Sequence, residues 1–490
     1  MDDVDCATEE LTVEPSQQKT KTTHSVASDL THSFQSAKAP TLCSLIVTTL
    51  REPTDSVDSG WSWVICACSF VTNFVVLGTL ASFGVLYTGL LEFYTESNTT
   101  SGYCDTNKNE SGISAVTAWI GNQAVFLTYL LAPFSTSLVA RWGVRPVTMT
   151  GSALVSAGAF LTAATNEIWH AILTYGVILG VGASLSVIPM TGILPAYFNK
   201  RTSLAVCMAR SAAWVAGLCM SLINQTILDR YGWRAVCIFI GSYSLLPFVS
   251  GVLIRPRVQQ INQKKLTIKQ IIIRACNTQR HVRFSVWLWL TSLHYFSLYL
   301  VLHHLIRHAE CSAGESGRDA ALLVTYASVC GAVSGVLVGY IGDYVSNKIM
   351  LLQLIIFSSG IVNICFPFFN TYSGLVGYSI LFGVFGSFRM LVAVIPRDIV
   401  GLEEVVNAWG IYALIAGVLS SAGPPFGGWI YDSTGSYNTA FVVCGCLSVI
   451  SSLSMFSDIY LKRRQEEKLN KKEKIESGSA SAVVSFETCV

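Results

Sequence analysis

Residues 168–192 read IWHAILTYGVILGVGASLSVIPMTG, an apolar stretch with no Asp, Glu, Lys or Arg in it. At a helical rise of about 1.5 Å per residue the run is roughly 37 Å long, enough to cross a hydrocarbon core about 30 Å thick. Comparable apolar runs lie near 61–90, 113–138, 145–166, 203–226 and 233–254. They resume near 284–306, 320–342, 349–370, 373–396, 405–430 and 438–461. The pattern is six spans, a basic loop and six more. It reads as an all-α membrane protein of twelve transmembrane helices in two six-helix halves.

The composition agrees. Of 490 residues, 51% are hydrophobic and 13% charged, and the mean hydropathy is +0.50. Soluble domains are about 25% charged. Of the 62 charges, 34 fall in residues 1–60, 255–283 and 462–490, and the other 372 residues share 28. A soluble fold cannot cover its surface with so few. With a formal net charge of only +2, a secreted disulfide scaffold, a disordered chain and a nucleic-acid binder are excluded together. The expected organisation is a flexible cytosolic tail at 1–57, a first half at 58–254 and a basic cytosolic loop at 255–283. A second half at 284–461 and a charged cytosolic tail at 462–490 follow. The N-terminus carries no basic-then-apolar signal pattern, and the apolar run 41–50 is too short to span.

Lys and Arg set the orientation. With the N-terminus inside, the inner segments carry 25 of these residues and the outer loops 5. Both termini are therefore expected in the cytosol. Sequons at Asn98 and Asn109 fall in the first outer loop, where glycosylation is chemically feasible, whereas Asn224 lies too close to the bilayer. The 15 cysteines include no CxxC. Cys66/Cys68 and Cys444/Cys446 are two apart and so point to different sides of a helix, which does not suit a metal. Cys104 and Cys311 fall in outer loops, where a disulfide is compatible with their placement but nothing else points to it. No metal or cofactor is expected.

A six-plus-six layout suggests an internal repeat. Arg141-Trp-Gly-Val-Arg145 after span 2 and Gly339-Tyr-Ile-Gly-Asp343-Tyr-Val-Ser-Asn-Lys348 after span 8 are short, polar inner loops at matching places. A tight charged turn there suits the clipping of two helices at the cytosolic face. Gly331, Gly335 and Gly339 in span 8, and Gly176, Gly180 and Ser184 in span 4, make flat ridges for close helix packing. Gly423, Pro424 and Pro425 interrupt span 11, and are expected to break its hydrogen-bond ladder and bend it.

Three stretches resemble the monocarboxylate transporter family of the major facilitator superfamily. Asp58-Ser-Gly-Trp61-Ser-Trp63 enters span 1. Tyr197-Phe-Asn-Lys200-Arg201, continuing with Leu204-Ala205, enters span 5. Gly423-Pro424-Pro425, Gly428-Trp429, Tyr431-Asp432, Thr434-Gly-Ser-Tyr437 and Phe441 close the chain's last two spans. Ser59, Ser62 and Thr202 depart from the family pattern. Read from the residues alone, Trp61 and Trp63 are interface anchors, Lys200 and Arg201 are inside-facing charges, and 431–437 is a turn-rich outer loop. The resemblance covers about residues 58–460. It implies the major facilitator fold and a multi-pass plasma-membrane transporter of the rocker-switch, symporter kind. It also implies a single-span accessory glycoprotein as partner. Proton-coupled members resemble one another in a Lys in span 1 and an Asp/Arg pair in span 8; here those positions align with Ala81, Gly331 and Gly335.

A charge inside the bilayer costs a few kcal/mol or more, roughly, so intramembrane ionisable groups are candidate site residues. Arg210 and Arg389 lie within spans 5 and 10, each about 10 Å above the cytosolic boundary, with no Asp or Glu at similar depth. A carboxylate substrate supplies the missing charge, and arginine binds carboxylates bidentately; snorkelling to the interface is the alternative. His294 sits near mid-depth in span 7. His304, in the run His304-Leu-Ile-Arg-His-Ala309, resembles a substrate-facing family position. A core or interface histidine is the other reading of each. Asn73, Asn122 and Gln123 suit a cavity wall or helix glue.

The sequence thus reads as a transporter of small monocarboxylates or related organic solutes by alternating access. Amino-acid-like or creatine-like solutes carried without proton coupling are the second reading, and a non-transporting receptor or scaffold the third. No nucleophile–base set, phosphate loop or metal cluster marks an enzyme. The last residues, Glu487-Thr488-Cys489-Val490, match the tail that adds as a strand to a PDZ domain. A chance match in a tail is the alternative.

Overall fold

Every regular element is helical among the described residues of the computed structural model, which are 58–95, 111–254, 282–311, 317–369, 371–402 and 404–456. Asn98, Asn109, Cys104, most of the central basic loop and the C-terminal tail with Val490 lie outside them. The first span, α1, is Gly60–Ala81 continued by Phe83–Thr95. In α2, Ser111–Leu130 turns into Ala132–Trp142 through a bend of 48°. Next come α3, Val144–Ala163, and α4, which runs from Ile168–Ala171 through a π-helical stretch, Ile172–Leu179, to Gly180–Tyr197. Helix Thr202–Tyr243 and the short Leu246–Leu253 form one apolar segment of 52 residues. At about 1.5 Å per residue that is more than twice a bilayer. Gly232, at φ 78° and ψ 174°, breaks it, so 202–231 is α5 and 233–253 is α6.

The second half repeats the plan. It comprises α7, Val282–Cys311; α8, Gly317–Tyr344; and α9, Lys348–Ile364. In α10, Tyr372–Gly386 is followed by the short turns Phe388–Leu391 and Ile395–Val400. Finally come α11, Val405–Thr434, and α12, Tyr437–Ser454. The start of α1 and the end of α12 share one face of the bundle, called here the terminal face; the opposite one is the far face.

Three details depart from the sequence reading. Helix α9 stops at Ile364, short of 370, because Pro367 has no N–H to continue the ladder and the chain tightens into a 3₁₀ turn, Phe366–Phe368. The stretch 431–437 is not an open loop: α11 runs to Thr434, and only Gly435, at φ 70°, and Ser436 separate it from α12. Helix α11 also passes through Pro424 and Pro425 as one helix. Its partner α7 holds it there, since a Cβ on Gly423 would meet the Phe296 carbonyl at 2.6 Å and His304 Nε2 lies 2.9 Å from the Pro424 carbonyl. The sharp bend is in α2, just before Pro133.

The pairing of helices is the same in both halves. Helices α1 and α5 meet where Gly78 faces Ala216, and α7 and α11 meet where Gly423 faces Phe296. Gly180 of α4 packs on Ala124 of α2, as Gly383 of α10 packs on Ala327 of α8. Ser156 of α3 donates to the Gly241 carbonyl of α6 at 2.6 Å, and Ser452 of α12 to the Gln353 carbonyl of α9 at 2.8 Å. In lipid, helices gain nothing by hiding apolar surface from one another; small residues and hydroxyl-to-carbonyl bonds hold them instead. Other large apolar side chains are exposed on the outside of the bundle, Leu222, Val333, Leu337 and Leu354 among them, where a membrane covers them.

Gly232 allows a direct check on the break between α5 and α6. Its φ and ψ belong to a region that is almost glycine-only, yet a Cβ there would meet nothing within 4 Å. Gly232→Ala is therefore expected to destabilise through backbone strain alone, by about 1–3 kcal/mol. The melting temperature of the purified protein in detergent should fall by several degrees; an unchanged value would contradict the break.

Candidate functional site

The segment 197–204, where α4 gives way to α5, is held from three sides. From the turn just ahead of α1, the Asp58 carboxylate accepts the backbone N–H groups of Asn199 and Lys200, each at 3.1 Å. The Asp58 N–H donates to the Tyr197 carbonyl at 3.2 Å, and Asp58 takes a left-handed φ of 62° to do so. Trp63 packs edge-on against Phe198, with ring centroids 5.1 Å apart. Two of the stretches singled out in the sequence are thus a single interlocking contact. From the second half, the Asp343 carboxylate accepts from Ser203 N at 2.7 Å and Leu204 N at 3.1 Å. These are first-turn amides of α5 that have no partner within the helix, and a carboxylate there also complements the helix dipole. Arg397 of α10 donates to the Phe198 carbonyl at 2.5 Å, to Thr202 Oγ1 at 2.6 Å and to Asn199 Oδ1 at 2.9 Å.

Asp343 and Arg397 therefore clip the two halves together at the terminal face. The matching loop of the first half does not cross over: Arg145 donates to the Val252 carbonyl of its own half at 3.0 Å. Gly339 and Gly342 of α8 extend the contact along α5, against Cys207 and Ser203. Among the described residues, the named contacts between halves run from this face up to the level of Trp214 and Gly417.

At that level the two intramembrane arginines meet. Arg210 lies eight residues after Thr202, about 12 Å into α5. Its Nε donates to the backbone carbonyl of Arg389 at 3.1 Å. Its guanidinium carbon stands 5.1 Å over the ring of Trp409 in α11. The Arg389 guanidinium, on the short turn within α10, stands 4.1 Å over the ring of Trp214 in α5. Each arginine is stacked on a tryptophan of the opposite half. Such desolvated cation–π contacts are worth about 2 kcal/mol. Among the described residues neither arginine has a carboxylate within ion-pair distance. The Trp214 and Trp409 indole N–H groups are buried and find no partner there either.

Glycines beside the indole explain the fit. A Cβ on Gly331 would lie 2.7 Å from Trp214 Cε2, and one on Gly386 would lie 3.2 Å from Trp214 Cζ2. The indole occupies the space that a side chain on α8 would need. Gly335 faces Met390 of α10, and Ala81 packs on Gly217.

A small cavity opens beside Arg210. Tyr129 of α2, Tyr295 of α7 and Trp409 and Tyr412 of α11 line it, together with small α11 residues between 413 and 420. Its volume of about 10 Å³ holds one water at most. His294, by contrast, is buried against α12, with Nδ1 2.8 Å from Ser448 Oγ and its ring edge-on to Phe388. His304 binds the Pro424 carbonyl and stacks on Tyr437. Asn73 is buried within α1, its Nδ2 donating to the Ser69 carbonyl at 2.8 Å. These three are not on the cavity wall. The wall's aromatic residues were missed in the sequence. Trp214, which backs Arg389, had a signal, since it lies at mid-span, away from the interface belts where tryptophan gathers, and four residues after Arg210; Trp409, the fifth residue of α11, had none. Among the described residues no cluster of His, Cys, Asp or Glu suits a metal.

Comparison with known proteins gives the same class of molecule. The family model described as Major Facilitator Superfamily matches residues 68–310 and 312–486. The rat protein named Monocarboxylate transporter 13 is 27% identical over 403 residues, covering 81% of this chain and 89% of its own. The human protein named Monocarboxylate transporter 10 is 25% identical over 450 residues, covering 87% and 84%. Among solved structures, the human organic anion transporter MFSD10 superposes with a TM-score of 0.65 at 12% identity, over 80% of this chain and 99% of that one. The Escherichia coli fucose:proton symporter FucP gives 0.61 at 13%, over 81% and 99%. At these identities the structural likeness shows the fold.

The cross-half clip has a measurable consequence. Cys207 is buried where α5 meets α8. Asp343→Asn keeps the shape and removes the charge from two hydrogen bonds, each worth roughly 1.5–3 kcal/mol to a charged group. In a chain retaining only Cys207, Asp343→Asn should speed labelling by a membrane-impermeant maleimide from the terminal face by about tenfold. Equal rates would show that Asp343 does not hold the halves.

Proposed function

Since the chain belongs to the monocarboxylate transporter family of the major facilitator superfamily, and so carries small solutes across a membrane, we propose that its substrates are organic monocarboxylates. It moves them by alternating access of one central site. The observation that carries this reading is the meeting of Arg210 and Arg389, one from each half, without a carboxylate among the described residues. An anion completes that charge balance, and a guanidinium holds a carboxylate through two parallel hydrogen bonds. Arg210 is on the cavity wall; Arg389 binds it through a backbone carbonyl and joins the site when the halves shift. The absence of an acidic group from the wall favours anions over zwitterions, whose ammonium group would need a partner.

Access follows from the same contacts. The clip made by Asp343 and Arg397 holds the halves together at the terminal face, so on this reading substrate enters from the far face once the halves shift and the cavity widens. Opening towards the cytosol requires Asp343 to release the start of α5 and Arg397 to release residues 198–202. Residence in the plasma membrane, cytosolic termini and glycosylation at Asn98 and Asn109 belong to this reading as well.

Transport is expected to run without a proton gradient. Ala81, Gly331 and Gly335 carry no proton, and His294 is enclosed between Ser448 and Phe388. Collapsing the pH gradient with an ionophore in proteoliposomes should leave carboxylate uptake unchanged; loss of accumulation that His294→Gln reproduces would contradict this.

Both arginines are expected to be needed. Arg210→Ala and Arg389→Ala should each weaken carboxylate uptake by about a hundredfold, the cost of a lost charge-assisted contact. Arg389→Lys keeps the charge, loses the planar fork, and should lose most uptake at normal surface expression. Wild-type uptake of a carboxylate by Arg389→Ala at the cell surface would mean that the residue only stabilises the helix contact.

A further inference from the structure

We propose that the site selects carboxylates carrying a flat aromatic body, and that the Trp409 indole is the seat of that ring. The inference rests on the reading above, that an organic anion binds at Arg210 and Arg389.

The cavity wall is built of rings. Trp409 and Tyr412 lie 5.5 Å apart at 27°, and Tyr412 meets Tyr295 edge-on at 5.9 Å. Behind them Trp287 packs on Tyr412 at 4.9 Å and Phe388 on Tyr295 at 5.2 Å. A wall backed by further rings does not reshape itself around a small aliphatic ligand. Above Trp409 on the same face of α11 come Ala413, Ala416 and Ser420, three or four residues apart and all short. The face is bulky at one end and bare along the rest, a shape that suits a slab rather than a sphere. Tyr129 of α2 stands opposite, against Gly417.

Charge explains how the ring reaches its seat. In this structure the Arg210 guanidinium covers the Trp409 face at 5.1 Å. A carboxylate binding Arg210 competes for the same guanidinium, and a charged hydrogen-bonded partner outbids a ring's quadrupole. Once Arg210 turns to the anion, the indole face is uncovered. An aliphatic substrate such as a three-carbon acid leaves it bare; an arene covers it by offset stacking. The wall offers an ammonium group no carboxylate, so the body is aromatic and the charge is negative.

The test uses the full chain in proteoliposomes and two probes with one head group, pyruvate and phenylpyruvate. The half-saturation concentration is expected to be about tenfold lower or more for phenylpyruvate. Trp409→Leu should bring the ratio of the two values towards one, and Trp409→Phe should retain it. As a check that needs no variant, benzoate should inhibit phenylpyruvate uptake by the wild-type chain about tenfold better than cyclohexanecarboxylate, which has the same carbon count and is not flat. Equal half-saturation for the two probes, a ratio unchanged in Trp409→Leu, or equal inhibition by the two ring acids would overturn aromatic selection and leave the anion reading standing. Uptake of neither probe would overturn both.

Discussion

Two arginines set roughly 10 Å inside membrane spans must be stabilised by something other than water, and each costs at least about 2.5–3.5 kcal/mol without it. This chain stabilises them with two indoles and a backbone carbonyl and, among the described residues, not with a carboxylate. Much of the centre follows from that choice. Trp214 needs Gly331 and Gly386 beside it, and Trp409 fits against Gly192. Because each arginine stacks on the other half's tryptophan, no ligand can draw on a guanidinium without disturbing the contact between halves. On the proposed function, binding and rearrangement are therefore tied by geometry.

The terminal face obeys a second constraint. The first turn of α5 has amides that its own helix cannot satisfy, and they are satisfied by Asp343, a residue of the other half. Residues 198–202 are likewise completed by Arg397. Asp58 binds the same segment from within its own half, which keeps it in shape when the other two let go. On the proposed function, a strained Asp58 is the fixed post and Asp343 and Arg397 are the releasable ones. Their hydrogen bonds involve charged groups in a partly exposed place, so they are strong enough to hold and open enough to water to exchange.

The spans, their number and the six-plus-six plan were legible because apolar length is a strong signal and few other folds produce it. The isolated arginines were legible for the same reason: a charge in an apolar run stands out. The clip at Asp343 was half legible, as a tight polar loop at a matching place in each half, but only the structure shows that Asp343 crosses between halves while Arg145 does not. The aromatic wall was not legible. Tyr129, Tyr295 and Tyr412 are ordinary residues of apolar spans, and which face of a helix turns inward depends on packing with helices distant in sequence. His294, His304 and Asn73 mark the opposite limit. A polar residue in a span must find a partner, but a neighbouring helix serves as well as a substrate, and sequence does not distinguish the two. The prolines of α11 teach the same lesson, since the contact with α7 decides whether the helix bends.

The central claim is that the paired arginines await an anion. The most direct measurement compares a carboxylate with its neutral amide of the same shape, benzoate and benzamide, as ligands that stabilise the purified protein against heat. Ligand that binds the folded state alone raises stability by about 2.7 kcal/mol at a concentration one hundred times its dissociation constant. The account predicts that benzoate raises the melting temperature in a saturable way, that benzamide does not, and that Arg210→Ala abolishes the difference. Equal shifts with acid and amide, or a benzoate shift that survives in Arg210→Ala, would show that the charge between the two halves is not what the site binds.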